Sequence, residues 1–154
     1  MDAFIFDNNG RKYRVVCDEY PDGSFDLEVR YRSQFVGKVT STMRENDSVV
    51  LEDIYIRDDS VPRGKSAILS SLGPPSKPLS FRGRGLGTAL LQRFINYVRS
   101  KGLTRVYGSI AEEDLLSRPY LPKWYRKYGF KECAAYRYHV PGARIFLCLE
   151  LQQS

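Results

Sequence analysis

Histidine and tryptophan each occur once in this 154-residue chain, cysteine three times, and no apolar run is long enough to cross a bilayer. Each scarcity excludes a class of function. A single histidine, His139, leaves no Ser-His-Asp triad and no histidine-based zinc site; it reads as an ordinary strand-end residue. Cys17, Cys133 and Cys148 show no metal-ligand spacing and each falls in an expected strand. They read as reduced core residues of a cytoplasmic protein. Met1-Asp2-Ala3-Phe4 begins no signal peptide, so neither membrane insertion nor export is expected. Internal repeats and low-complexity tracts are missing as well.

What is present suits one folded domain over 1–154. Apolar residues make up 42% of the chain and aromatic residues 13%, enough to build a core. A net charge of +6 and a pI near 9.3 favour an anionic partner.

The first half reads as an antiparallel meander. Ala3–Phe6 and Lys12–Cys17 flank Asn8-Asn9-Gly10, a strong hairpin signal. Pro21-Asp22-Gly23 turns the chain into Phe25–Tyr31, whose odd positions are apolar. Gln34–Met43 and Val49–Ile56 follow as strands, the latter carrying Glu52 and Asp53. Residues 58–80, with four prolines and several serines, read as a loop with a short helical turn around Lys65–Leu72. Further strands are expected at Arg105–Ala111, Cys133–His139 and Arg144–Leu151, the last two joined through Pro141-Gly142. A helix over Pro122–Tyr128 ends at Gly129. This order implies an α/β (α+β) domain, a mixed sheet flanked by helices.

Arg82-Gly83-Arg84-Gly85-Leu86-Gly87 opens the most clearly periodic helix, with Leu86, Leu90, Leu91, Phe94, Ile95 and Val98 on one face and Gly102 as its stop. A glycine-rich turn entering a helix aims several backbone N–H groups and the positive end of the helix dipole one way. That arrangement holds pyrophosphate. Arg82 and Arg84 add positive charge there. The loop lacks the dinucleotide Gly-x-Gly-x-x-Gly spacing and the Gly-Lys-Ser/Thr ending of a P-loop. Arg63-Gly64-Lys65-Ser66 imitates that ending, but no glycine lies five residues before Gly64.

The spacing Arg82-x-x-Gly85-x-Gly87 resembles the acetyl-CoA pyrophosphate loop of the GNAT acetyltransferase superfamily. Two further stretches extend the resemblance across roughly residues 49–131. Leu51-Glu52-Asp53-Ile54-Tyr55-Ile56 is similar to the superfamily's fourth strand, nearest to its polyamine and small-amine branch. Lys123-Trp124-Tyr125-Arg126-Lys127-Tyr128-Gly129-Phe130 is similar to its x-Tyr-x-Lys/Arg-x-Gly-Phe signature. The resemblance implies a mostly antiparallel GNAT-like sheet and acetyl-CoA as acyl donor. Gly83, Arg84, Gly85, Leu86, Gly87 and Thr88, with Arg82, would hold the pyrophosphate. The backbone of Ile54, Tyr55 and Ile56 would pair with the pantetheine arm.

Acetyl transfer to an amine needs a base for the ammonium proton and a donor for the departing thiolate. The resemblance implies Glu52 for the first role and Tyr125 for the second, with Tyr128 as core. Strict alternation sends Glu52 and Asp53 to opposite faces, so only one of the two is expected to face the substrate. Two departures bear on the acceptor. The helices that the family places between its first two strands are absent, and the stretch Arg57–Phe81 is lengthened, as a lid or as a free excursion. The family's frequent Asn ahead of the second helix is missing, with Ser117 or Arg118 nearby. The leading reading is an N-acetyltransferase acting on an amine of unspecified identity, and a homodimer stays open. A non-catalytic acyl-CoA-binding domain would keep the loop without needing Glu52 and Tyr125. Nucleic-acid binding, suggested by Arg11, Lys12, Arg14, Arg30 and Arg32, ranks last, because no nucleic-acid motif accompanies these residues.

Overall fold

Asn8-Asn9-Gly10 closes the first hairpin, with Gly10 at φ 80°, a conformation that costs glycine little. The computed structural model describes residues 3–57, 81, 83–133 and 142–152. In it β1 (Ala3–Phe6), β2 (Lys12–Glu19), β3 (Phe25–Tyr31), β4 (Gln34–Glu45) and β5 (Ser48–Ile56) run as an antiparallel meander. Helix α1 (Leu86–Ser100) leads into β6 (Arg105–Ala111), short helices α2 (Glu112–Ser117) and α3 (Leu121–Lys127), then β7 (Lys131–Glu132) and β8 (Ala143–Glu150). The strands form one sheet in the order β1-β2-β3-β4-β5-β6-β8-β7, in which β6 joins β5 in parallel.

Register decides which face is apolar. Ala3, Val15, Val29, Gly37 and Ile56 form one row across the sheet, and Cys17, Leu27, Val39 and Ile54 the next. Helix α1 lies on this face and buries the six apolar residues its periodicity marks, with Phe94 stacked on Phe25 at 5.4 Å. Each such fully buried side chain contributes roughly 1.5–3 kcal/mol. The other face carries Asp18, Asp26, Thr40 and Asp53 in one row.

Several expectations need amendment. Cys17 is exposed rather than in the core: it shares a row with buried Leu27 but lies one strand further out, bordered by Tyr97. Cys133 lies just past β7 and, like Cys148, is half-buried; all three cysteines are free thiols. Helix α2 is an addition, and α3 begins at Leu121. The expected turn around 65–72, the strand over 134–139, His139 and Pro141 lie outside the described residues. Pro21-Asp22-Gly23 does make a tight turn, where Asp22 Oδ1 accepts the Ser24 N–H at 2.9 Å. Among the described residues no helix is long and apolar enough to cross a membrane.

Candidate active site

β5 and β6 are paired only where Ser48–Val50 meet Arg105–Tyr107. From Leu51 onward β5 keeps β4 on one side and, among the described residues, has no strand ladder on the other. Backbone groups turned toward that gap are therefore available to a ligand with amide groups of its own. A cleft of about 230 Å³ opens there on the α1 face. A second of about 210 Å³ contains Asp53 and Tyr125, and both clefts are bordered by Ile54, Arg118 and Leu121.

The first cleft is built largely from backbone. Gly83 and Gly85 adopt φ of 74° and 78°, and Gly85 caps α1 with no side chain to satisfy the first N–H groups. The first turn holds no acidic residue, and the helix ladder begins with Ala89 N–H donating to Gly85 C=O at 3.0 Å. The N–H groups of Leu86, Gly87 and Thr88 thus sit at the positive end of a 15-residue helix that borders the cleft. A Cβ on Gly87 would meet only Ile56, at 3.9 Å, so the space over this turn is open. Such an arrangement can hold a phosphate oxygen. Gly85 has an additional reason to be glycine: a Cβ there would overlap the Asn8 side chain. Arg84 lies 3.8 Å from the Asp7 carboxylate, and Arg82 lies outside the described residues. The Thr88 hydroxyl accepts a 3.1 Å hydrogen bond from Trp124 Nε1, which ties α3 to α1 across the cleft.

Side chains dominate the second cleft. The strict alternation assumed for β5 breaks at Glu52. Thr40 pairs with Asp53 and Ser41 with Leu51, leaving Glu52 as the extra residue of a β-bulge. Glu52 and Asp53 therefore both border the second cleft, contrary to the expectation that only one would. Glu52 is exposed and also edges a depression with Tyr20, Asp22 and Asp26. Burial pushes the Asp53 carboxyl above its ordinary value, and nearby Asp114 adds to the effect against the Ile54 N–H and Arg118. Tyr125 is only 8% exposed, its ring edge-on to Phe130 at 5.3 Å. Its hydroxyl has no hydrogen-bond partner among the described residues. Burial, then the charges of Asp53 and Asp114, raise its pKa well above the usual phenol value, so it keeps its proton. Tyr128 is half-buried against Trp124. Ile54 and Ile56 border the first cleft, whereas Tyr55 turns to the other face, where it borders the second cleft and stacks on Phe35 at 6.4 Å. Sequence reasoning missed Trp124 and Asp114. The one available signal was the uniqueness of the tryptophan inside the aromatic motif.

The fold is that of GNAT acetyltransferases, as comparison with solved structures shows. The model of the Acetyltransferase (GNAT) family matches residues 79–130, from the phosphate loop through α3. A GNAT family acetyltransferase from Elizabethkingia anophelis, solved with acetyl-CoA bound, is similar at TM-score 0.56 and 15% identity, covering 83% of this chain and 76% of that one. The ribosomal-protein-S18-alanine N-acetyltransferase of Escherichia coli matches at TM-score 0.58 and 15% identity, covering 88% and 74%. PaiA N-acetyltransferase from Thermoplasma acidophilum, in complex with coenzyme A, matches at TM-score 0.53 and 13% identity, covering 81% and 59%. No curated protein sequence matches the chain.

Proposed function

We propose that the protein is an acetyl-CoA-dependent N-acetyltransferase whose two substrates meet in the gap between β5 and β6. The observation that carries this reading is a pair of neighbouring clefts that share Ile54, Arg118 and Leu121. One has a helix N-terminus without side-chain caps, and the other has buried Tyr125, whose hydroxyl has no hydrogen-bond partner among the described residues, beside carboxylates. The pyrophosphate of the donor sits on the N–H groups of Gly83–Thr88. The pantetheine arm runs along Ile54–Ile56, taking backbone hydrogen bonds that β6 leaves vacant. The thioester then lies near Tyr125.

The amine approaches from the face that carries Asp53 and Glu52. A carboxylate whose pKa is raised is a better proton acceptor than an ordinary one. That favours Asp53 for taking the ammonium proton, directly or through water, with Glu52 drawing the cation in. The free amine attacks the thioester carbonyl, the tetrahedral adduct collapses with C–S cleavage as its nitrogen loses a second proton to water, and Tyr125 protonates the leaving thiolate and is reprotonated from solvent. Acidic surroundings and the Leu51-Glu52-Asp53 strand put polyamine-type and other primary amines first among acceptors. Incubation of the protein with acetyl-CoA and an amine panel, reading thiol release and product mass, tests the reading. One amine acetylated above the uncatalysed rate supports it. CoA binding with no transfer to any amine would point instead to an acyl-CoA-binding domain.

A further inference from the structure

The first hairpin touches the phosphate loop at two places, and neither contact is needed to close the hairpin. Asp7 is the hub. Its side chain is fully buried, and Oδ1 accepts the N–H groups of Asn9 and Arg11, each at 2.9 Å. Oδ2 accepts the Tyr13 hydroxyl at 2.9 Å and faces the Arg84 guanidinium at 3.8 Å. The next residue reaches the loop through backbone: Asn8 N–H donates to Arg84 C=O at 2.8 Å. Its side-chain amide occupies the place that a Gly85 Cβ would take. Upstream, fully buried Phe81 meets the rings of Tyr13 and Tyr31 edge-on at 6.3 and 6.5 Å. The loop that would hold the pyrophosphate is thus fastened by the turn 7–10 at Arg84 and Gly85, and by β2 and β3 at Phe81.

We propose that Asp7 and Asn8 are positioning residues for the donor: the hairpin turn holds Arg84 and Gly85 so that the N–H groups opening α1 are aligned before CoA arrives. The inference rests on the reading of residues 83–88 as the pyrophosphate seat. Preorganisation of this kind sets affinity, because a loop already in its bound shape loses less conformational entropy on binding. A buried carboxylate that accepts two turn N–H groups is itself rigid, so it can transmit position to Arg84. Arg84 therefore has a second task besides adding positive charge near an anion.

The test measures CoA affinity by titration, together with melting temperature and amide exchange of the ligand-free protein, for Asp7→Asn, Arg84→Gln and the double variant. Asp7→Asn keeps Oδ1 for the turn and removes the charge facing Arg84. Expected is a CoA Kd raised about five- to tenfold in each single variant, with the double variant no worse than Arg84→Gln, the coupling shown by residues acting as one unit. The acetyl-CoA KM rises with kcat unchanged, and exchange quickens at 84–89 while α1's later turns stay protected. Losses that multiply in the double variant, or a lower melting temperature with unaltered Kd and exchange, would overturn the proposal. Because the exchange readout needs no ligand, it decides the positioning role separately. A wild-type protein that fails to bind CoA would instead overturn the reading of the loop. Should Asp7→Asn fold poorly, Arg84→Gln probes the same pair from its 26%-exposed side.

Discussion

The two clefts beside β5 are built from different materials. The one under α1 is made mainly of backbone: glycines at positive φ, N–H groups without caps, and a strand edge without a partner. The one around Tyr125 is made of side chains whose proton affinities are displaced by burial and by one another. On the proposed reading, backbone recognises what acetyl donors have in common, the phosphates and the pantetheine amides, and side chains with shifted pKa values move protons. Binding and turnover should therefore be separable by mutation, because no titratable group of the second cleft borders the first except Arg118.

The largest expected effect is on the backbone side. Gly87→Val places carbons over the open space above α1's first turn, where the only neighbour of a Cβ is Ile56 at 3.9 Å. The CoA Kd should rise roughly hundredfold, the scale of one to two lost charge-assisted hydrogen bonds. The fold should survive, since valine in a helix costs no more than glycine. Gly85 is the poorer probe, because any side chain there also collides with Asn8. Next comes Tyr125→Phe. Its hydroxyl has no partner to lose among the described residues, so stability should hardly change, while kcat falls about 10²-fold, as for loss of a general acid, with the donor KM unaltered.

Asp53→Asn should lower kcat by roughly tenfold or more and Glu52→Gln by less, if burial marks the working base. Asp53 also makes a stability statement with a definite sign. Its folded-state pKa lies above the ordinary 3.8, so ionising it opposes folding. That penalty is absent below 3.8, grows as pH rises toward the folded-state value, and is complete above it. Asp53→Asn should therefore raise the melting temperature at neutral pH and leave it unchanged in strong acid. Retained turnover in this variant would shift the base to Glu52.

Asp7 gives the smallest effect, and the opposite sign. Burial works to raise its pKa, but the N–H groups of Arg11 and Asn9, the Tyr13 hydroxyl and the Arg11 charge together hold it below the ordinary value. Its stabilisation is complete above pH 3.8 and is lost as pH falls through the depressed value. Acid unfolding of Asp7→Asn should accordingly be shallower than that of the wild type. Equal acid profiles would mean that the turn does not depend on this carboxylate.

The same contrast between clefts explains what was legible in the sequence. The glycine-rich turn, α1 and most strands follow from local periods and glycines, so Leu86–Ser100 and β6 were readable within a residue or two. The bulge at Glu52 was not, because it arises from the register of β4 against β5, which no run within Leu51–Ile56 reveals. Helix α2 escaped notice because its six residues bury nothing and so leave no apolar stripe. The contact of Asn8 with Gly85 joins residues far apart in the chain. In the sequence each looked like a self-sufficient turn residue.

Trp124 is the only tryptophan of the chain and borders the first cleft, hydrogen-bonded to Thr88 in α1's first turn. Its fluorescence therefore reports ligand at the phosphate end without a label. The most direct test of the division between binding and reacting ends is a CoA titration followed by this signal in wild type, Tyr125→Phe and Gly87→Val. The account expects a saturable change with the same Kd in wild type and Tyr125→Phe, and no saturation over the same range in Gly87→Val. A wild-type Kd in Gly87→Val would contradict it.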